Sequence, residues 1–149
     1  MSVSAIRTRI KAKLSAVEGI GIVHEYQRWA STWSKFLSQF KTESDVINGW
    51  MITRRATPSA RDTMPTLNRG HVFILTGFYG LNDDDATELV FQDMVEDIQD
   101  AFDSDVTLGG LVLKSGPLQV KVVENRTFGN VLCHYAELEL VADERKTYS

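Results

Sequence analysis

Three histidines and one cysteine are the side chains of this 149-residue chain best suited to metal binding or nucleophilic chemistry. His24 and His71 fall in separate strand-like stretches, and His134 directly follows Cys133. Adjacent strand residues point to opposite faces, so Cys133 and His134 do not readily ligate one metal. No C-x-x-C, H-x-x-x-H or H-E-x-x-H spacing occurs, and Gly-x-Ser-x-Gly is absent. Cys133 stands in an apolar run, the surroundings of an inert thiol. Gly77-Phe78-Tyr79-Gly80 and Gly109-Gly110 lack the lysine and the strand–loop–helix setting of a phosphate cradle. The residues thus assign no catalytic site, no metal and no cofactor. The expectation is a protein that is not an enzyme and works by assembly.

Charge is the feature that remains. Residues 1–70 hold eleven Lys and Arg against five acids, whereas residues 71–149 hold five against fifteen. Such a subunit can carry a positive and a negative flank suited to head-to-tail association, unless the fold mixes the two halves over one surface. Arg54, Arg55, Arg61 and Arg69 flank or occupy one polar stretch, opposed only by Asp62, and can touch phosphates without reading sequence. Asp93, Glu96, Asp97, Asp100 and Asp103 recur along one side of a helical wheel. Strung along a helix, these acids do not fold round a point as a calcium loop requires. They read as an interface or channel face.

The elements that position these charges follow from periodicity. Val3, Ile6, Ile10, Leu14 and Val17 make one stripe of a helix over residues 3–17, which Gly19 and Gly21 end. Residues 20–26 alternate as a strand, and Trp33, Phe36, Leu37 and Phe40 fit one face of a short helix. Strands follow over residues 46–55 and 70–79. Between them, residues 56–69 carry two prolines and many small polar residues, which predicts a flexible loop projecting from a long hairpin. An arm of this kind would order against a partner. Phe91, Met94, Val95, Ile98, Ala101 and Phe102 form the apolar side of the acidic helix, and Asp85 with Glu88 makes a capping-box pattern at its start. The last strands span residues 118–124 and 131–141; Leu132, Ala136, Leu138 and Leu140 are expected inward, Glu137 and Glu139 outward. Residues 143–149 form a polar tail expected to fray. The order predicts one α+β domain over residues 1–149, an antiparallel or mixed sheet with helices packed on one face.

Length and composition agree. A chain of this size buries roughly 70% of its unfolded surface and needs no disulfide, and a single cysteine suits a reducing compartment. No apolar run approaches the ~20 residues of a membrane span. Arg7, Arg9, Lys11 and Lys13 interrupt any secretory apolar core. The basic amphipathic start also has the pattern of a mitochondrial transit peptide, although a core-packing helix accounts for it more simply.

Residues 47–54 (INGWMITR), residues 71–79 (HVFILTGFY), the helix from Phe91 to Phe102 and the closing residues 128–138 (FGNVLCHYAEL) resemble the neck and tail-completion proteins of tailed bacteriophages. The element order is similar to that of tail terminators. The resemblance implies a homo-oligomeric ring, usually of six subunits, that caps the tail tube and meets the head-side connector or stopper protein. Double-stranded DNA passes through its channel. It implies a place in the virion, with assembly in the host cytoplasm, and brings no catalytic residue with it. The acidic helix face would line the channel or pair with a neighbour's basic first helix. Two other readings stand beside this one. One is a head-completion or connector protein of the same neck. The other is a small-ligand module using Trp29, Trp33, Trp50 and Phe78 as a pocket.

Overall fold

The computed structural model describes residues 3–28, 33–42, 47–82, 86–128 and 131–148. Trp29, Val46 and Asp85, and Gly129 and Asn130 of the closing segment, lie outside these residues, as does the side chain of Trp33. The chain runs α1 (Val3–Ser15), β1 (Ile22–His24), α2 (Trp33–Phe40), β2 (Asn48–Ala56), β3 (Ser59–Thr63), β4 (Thr66–Gly80), α3 (Thr87–Asp103), β5 (Lys114–Ser115), β6 (Gln119–Phe128) and β7 (Val131–Thr147). The chain is thus α+β, with three helices and a seven-stranded mixed sheet among the described residues.

β4 and β7 form the spine of the sheet. They pair antiparallel without a register shift from Thr66↔Thr147 to Gly80↔Cys133. β2 and β3 share the other side of β4, one after the other along its length. β6 and β5 likewise share the far side of β7. β1 pairs parallel to β2, and parallel neighbours need a crossover, which the segment containing α2 supplies.

Helices cover both faces of the sheet. Ile6, Ile10 and Leu14 of α1 are fully buried, each side chain contributing roughly 2 kcal/mol. With Phe91, Met94, Val95, Ile98 and Phe102 of α3 they cover Trp50, Ile52, Phe73, Leu75, Ala136, Leu138 and Leu140. α2 packs on the other face, where Phe36 and Phe40 meet Phe78, Cys133 and Tyr135. The expectation of helices on one face therefore holds for α1 and α3 and fails for α2. The reason lies in strand ends that are apolar on both sides: Trp50 and Ile52 point to α3, while their neighbours Ile47 and Met51 meet the α2 cluster. For the same reason Trp50 and Phe78 do not line one pocket, since the sheet lies between them.

Other expectations are corrected too. Residues 56–69 are not a loop without regular structure. β3 pairs with the start of β4, and the two prolines bound the strand without breaking it. Pro58 supplies only its carbonyl, which accepts from Gly70 N at 2.9 Å, and Pro65 sits in the turn after Met64, where no ladder N–H is needed. The polar tail is held as well. β7 runs to Thr147, and Tyr148 N donates to Pro65 O at 2.7 Å. At α3 the cap is Ala86, in a left-handed conformation with no side-chain cap bond, so the capping box is not made in the expected register. Leu132, an inward position by alternation, is 43% exposed, because the α3 layer ends before it.

Gly77 marks a point of very close packing in the core. A Cβ there would lie 2.5 Å from the Trp50 ring, which is itself fully buried and stacked on Phe91. Neither ring has room to retreat. Gly77→Ala should cost ~2 kcal/mol through overpacking, read as a lower urea midpoint with an unchanged slope.

Candidate assembly surfaces

The histidines are dispersed. His24 Nε2 is 2.7 Å from Gln39 O and binds the sheet edge to α2. His71 is buried at the outer end of the core, with Nδ1 3.1 Å from Thr57 Oγ1 and Nε2 3.6 Å from Glu144 Oε1. Cys133 and His134 point to opposite faces, as the alternation requires, and burial pushes the Cys133 thiol up to about 11. No group of three or more metal-capable side chains occurs among the described residues.

His134 has the most ordered surroundings of the three. Its Nε2 lies 2.8 Å from Thr87 Oγ1 and its Nδ1 2.9 Å from Asn125 Oδ1. A hydroxyl, an imidazole and an amide oxygen in line match the geometry of a nucleophile, its base and an orienter. The Thr87 hydroxyl, however, also sits 2.8 Å from Asn82 N and 3.1 Å from Asn82 O, so the backbone before α3 competes for it. The ring is stacked against Phe91 and Tyr79 and is only 3% exposed. The trio clasps the start of α3 to β6 and β7. Burial holds the imidazole below its ordinary value of 6.5, with Glu88 opposing.

Of the four arginines expected to act together, Arg61 and Arg69 lie on one extension of the sheet and Arg54 and Arg55 at its root. Past the His71–Ala142 pair, β3, β4 and β7 continue as a three-stranded ribbon that adds no side chain to the two hydrophobic clusters. Arg54 and Arg55 stand at its root, Arg61 lies on β3 and Arg69 on β4. Arg61 donates to Met64 O, Arg69 reaches Tyr148 Oη at 3.3 Å, and Arg55 lies 3.9 Å from Glu139. Arg145 and Lys146 of β7 join them, two cations that the fraying expectation left out. Arg145 lies 3.5 Å from Asp62, and Lys146 lies 3.9 Å from Glu144. The ribbon and its root together therefore carry six cations against Asp62, Asp143 and Glu144.

Helical spacing placed the acids correctly. Asp93, Glu96, Asp97, Asp100 and Asp103 are all exposed on α3, and Asp103 Oδ1 accepts from Leu118 N at 2.9 Å. Asp97 looks across a cleft toward Lys13 of α1. Asp105, just beyond α3, takes Lys13 at 3.3 Å and Arg9 at 3.7 Å. Its carboxyl is held below the usual range, chiefly by the Gly109 N–H. On the open side of the sheet, bulges in β2 and β6 turn Arg55 and Lys121 toward Glu139 of β7, each at 3.9 Å.

No protein-family model matches the sequence, and no curated protein matches it.

Two measurements check these assignments. An unfolded histidine binds a proton near pH 6.5 and the folded His134 resists it, so the unfolded chain binds more protons just below that pH. Stability should be full above 6.5 and fall as pH drops toward the folded value, by at most ~1.4 kcal/mol per pH unit. Urea titrations between neutral and mildly acidic pH should show this slope in the wild type and a flatter one in His134→Gln. At the ribbon's root, His71 and Glu144 are 2% and 3% exposed. His71→Leu leaves the buried carboxylate with Lys146 as its one cation among the described residues and should cost ~3 kcal/mol, whereas the double variant with Glu144→Leu should recover most of that loss.

Proposed function

We propose that this chain is a structural subunit of the neck of a tailed phage, a tail terminator whose ring caps the tail tube and meets the head-side connector. DNA passes through the channel, and the protein resides in the virion after assembly in the host cytoplasm. The observation that carries this reading is the basic ribbon. Two strands of the core sheet extend past the hydrophobic clusters and present arginines on a paired, stiff support. A ribbon of this kind suits contact with a large neighbouring surface, a ring of tube subunits or the phosphates of the passing duplex, and needs no sequence readout. The split between basic and acidic surfaces suits a homo-oligomer built from unlike, complementary flanks. The resemblance of residues 47–54, 71–79 and 128–138 to neck proteins supplies the class. The arm of this reading is a preformed device, in place of one that orders on contact.

The ribbon separates folding from joining. Arg54 and Arg61 are exposed and make no ion pair among the described residues. Arg54→Glu with Arg61→Glu should leave the urea midpoint within error of the wild type. When purified chain is added to tails assembled without it and then mixed with filled heads, the wild type should restore infectious particles. The double variant should leave heads and tails apart. Full joining by a folded double variant would remove the basis of this proposal.

A further inference from the structure

The α1–α3 layer has one basic flank and one acidic flank, and they face opposite edges of the sheet. On α1, Arg9 and Lys13 turn toward the α3 side, where they meet Asp105. At 3.6 residues per turn, Arg7 and Lys11 stand on the other flank, away from α3 and over the side where α1 packs on β1. Both are half-buried, and neither has an ion-pair partner among the described residues. The opposite flank is a groove of about 510 Å³ between α3 and β6. Glu96, Asp100 and Asp103 form its rim, while Val120 and Val123, 37% and 44% exposed, lie on its floor with the edge of Val95. β6 has β7 on one side and no strand on the other among the described residues.

We propose that the groove receives the α1 flank of a second copy of this chain, Arg7 and Lys11 of one subunit docking head to tail between α3 and β6 of the next. The inference rests on the ring reading above and names the surfaces that close it. An acidic wall that merely repels DNA needs no apolar floor. Valines beneath a carboxylate rim fit long cationic side chains, whose hydrocarbon stems cover the floor while their heads reach the acids. Each subunit bears both halves of the contact at opposite ends, so the contact repeats from copy to copy and closes where the rotation allows. Because the pairs are at the surface, association weakens with salt.

The test uses the full chain in sedimentation velocity and native mass spectrometry at low and high salt. The wild type should form a closed oligomer at low salt. Arg7→Glu with Lys11→Glu makes both flanks acidic, and Glu96→Lys with Asp100→Lys makes both basic. Each variant alone should stay monomeric, and an equimolar mixture should regain the oligomer. Arg7→Gln with Lys11→Gln, which adds no repulsion, should weaken association at least ~tenfold. Circular dichroism establishes that each variant folds. Wild-type rings that survive either reversal would overturn this interface and leave the ring reading intact. A wild type that stays monomeric at every concentration and salt, alone or with tail tubes, would overturn both.

Discussion

The unbroken pairing of β4 with β7 is the constraint on which the rest of this molecule depends. Every other strand except β1 is registered against one of these two, and β1 is registered through β2. Within the core the pair supplies Phe73, Leu75, Leu138 and Leu140 to the α1–α3 side, and Phe78, Cys133 and Tyr135 to the α2 side. A slip of one residue would exchange these sets and drive Glu137 and Glu139 under the helices. The alternation of large apolar and charged side chains along β7 thus fixes the register far more firmly than the backbone bonds alone. The irregularities fall on the partners instead, at Arg54/Ala56 of β2, Arg61/Thr63 of β3 and Val120/Val122 of β6.

How legible this was from sequence depends on whether an element buries a face. α1 and α3 repeat their apolar residues at helical spacing, and the structure places them accordingly. The acidic face of α3 followed from the same wheel. The ribbon was illegible because neither of its faces meets a core. Ser59 to Thr63 is exposed throughout, so its pairing leaves no hydrophobic period to read, and the prolines that looked like breakers stand at its ends. The end of β7 was missed for the same reason, and with it Arg145 and Lys146. The position of α2 did leave a trace. Val131-Leu132-Cys133-His134-Tyr135-Ala136 is an almost continuous nonpolar run, the pattern of a strand covered on both faces and more than a simple alternation.

Charge is distributed on the same logic. The basic and acidic halves of the sequence do not simply cancel when folded. Part of the N-terminal charge is spent within the chain, Arg9 and Lys13 against Asp105. The remainder divides among the outer flank of α1, Arg28, Lys35 and Lys41 around α2, and the root and edge of the ribbon. The acids of α3 keep their exposure because the sheet strand beside them, β6, ends the sheet. Burial of the Trp50 and Phe91 rings beneath α3 holds that helix at a fixed height over the sheet, and so sets where the acidic rim stands relative to Val120 and Val123.

The ribbon and the core share two continuous strands, and this has a mechanical meaning. A pull along the ribbon's long axis draws β4 and β7 together and loads their ladders with β2 and β6 in shear, where many backbone bonds resist together. A sideways push acts on a cantilever whose fixed end is the buried His71–Glu144 pair. Such a part transmits displacement rather than absorbing it. A tilt imposed on the outer strands would arrive in the sheet beneath Trp50, under the helices that carry the charged flanks of the chain.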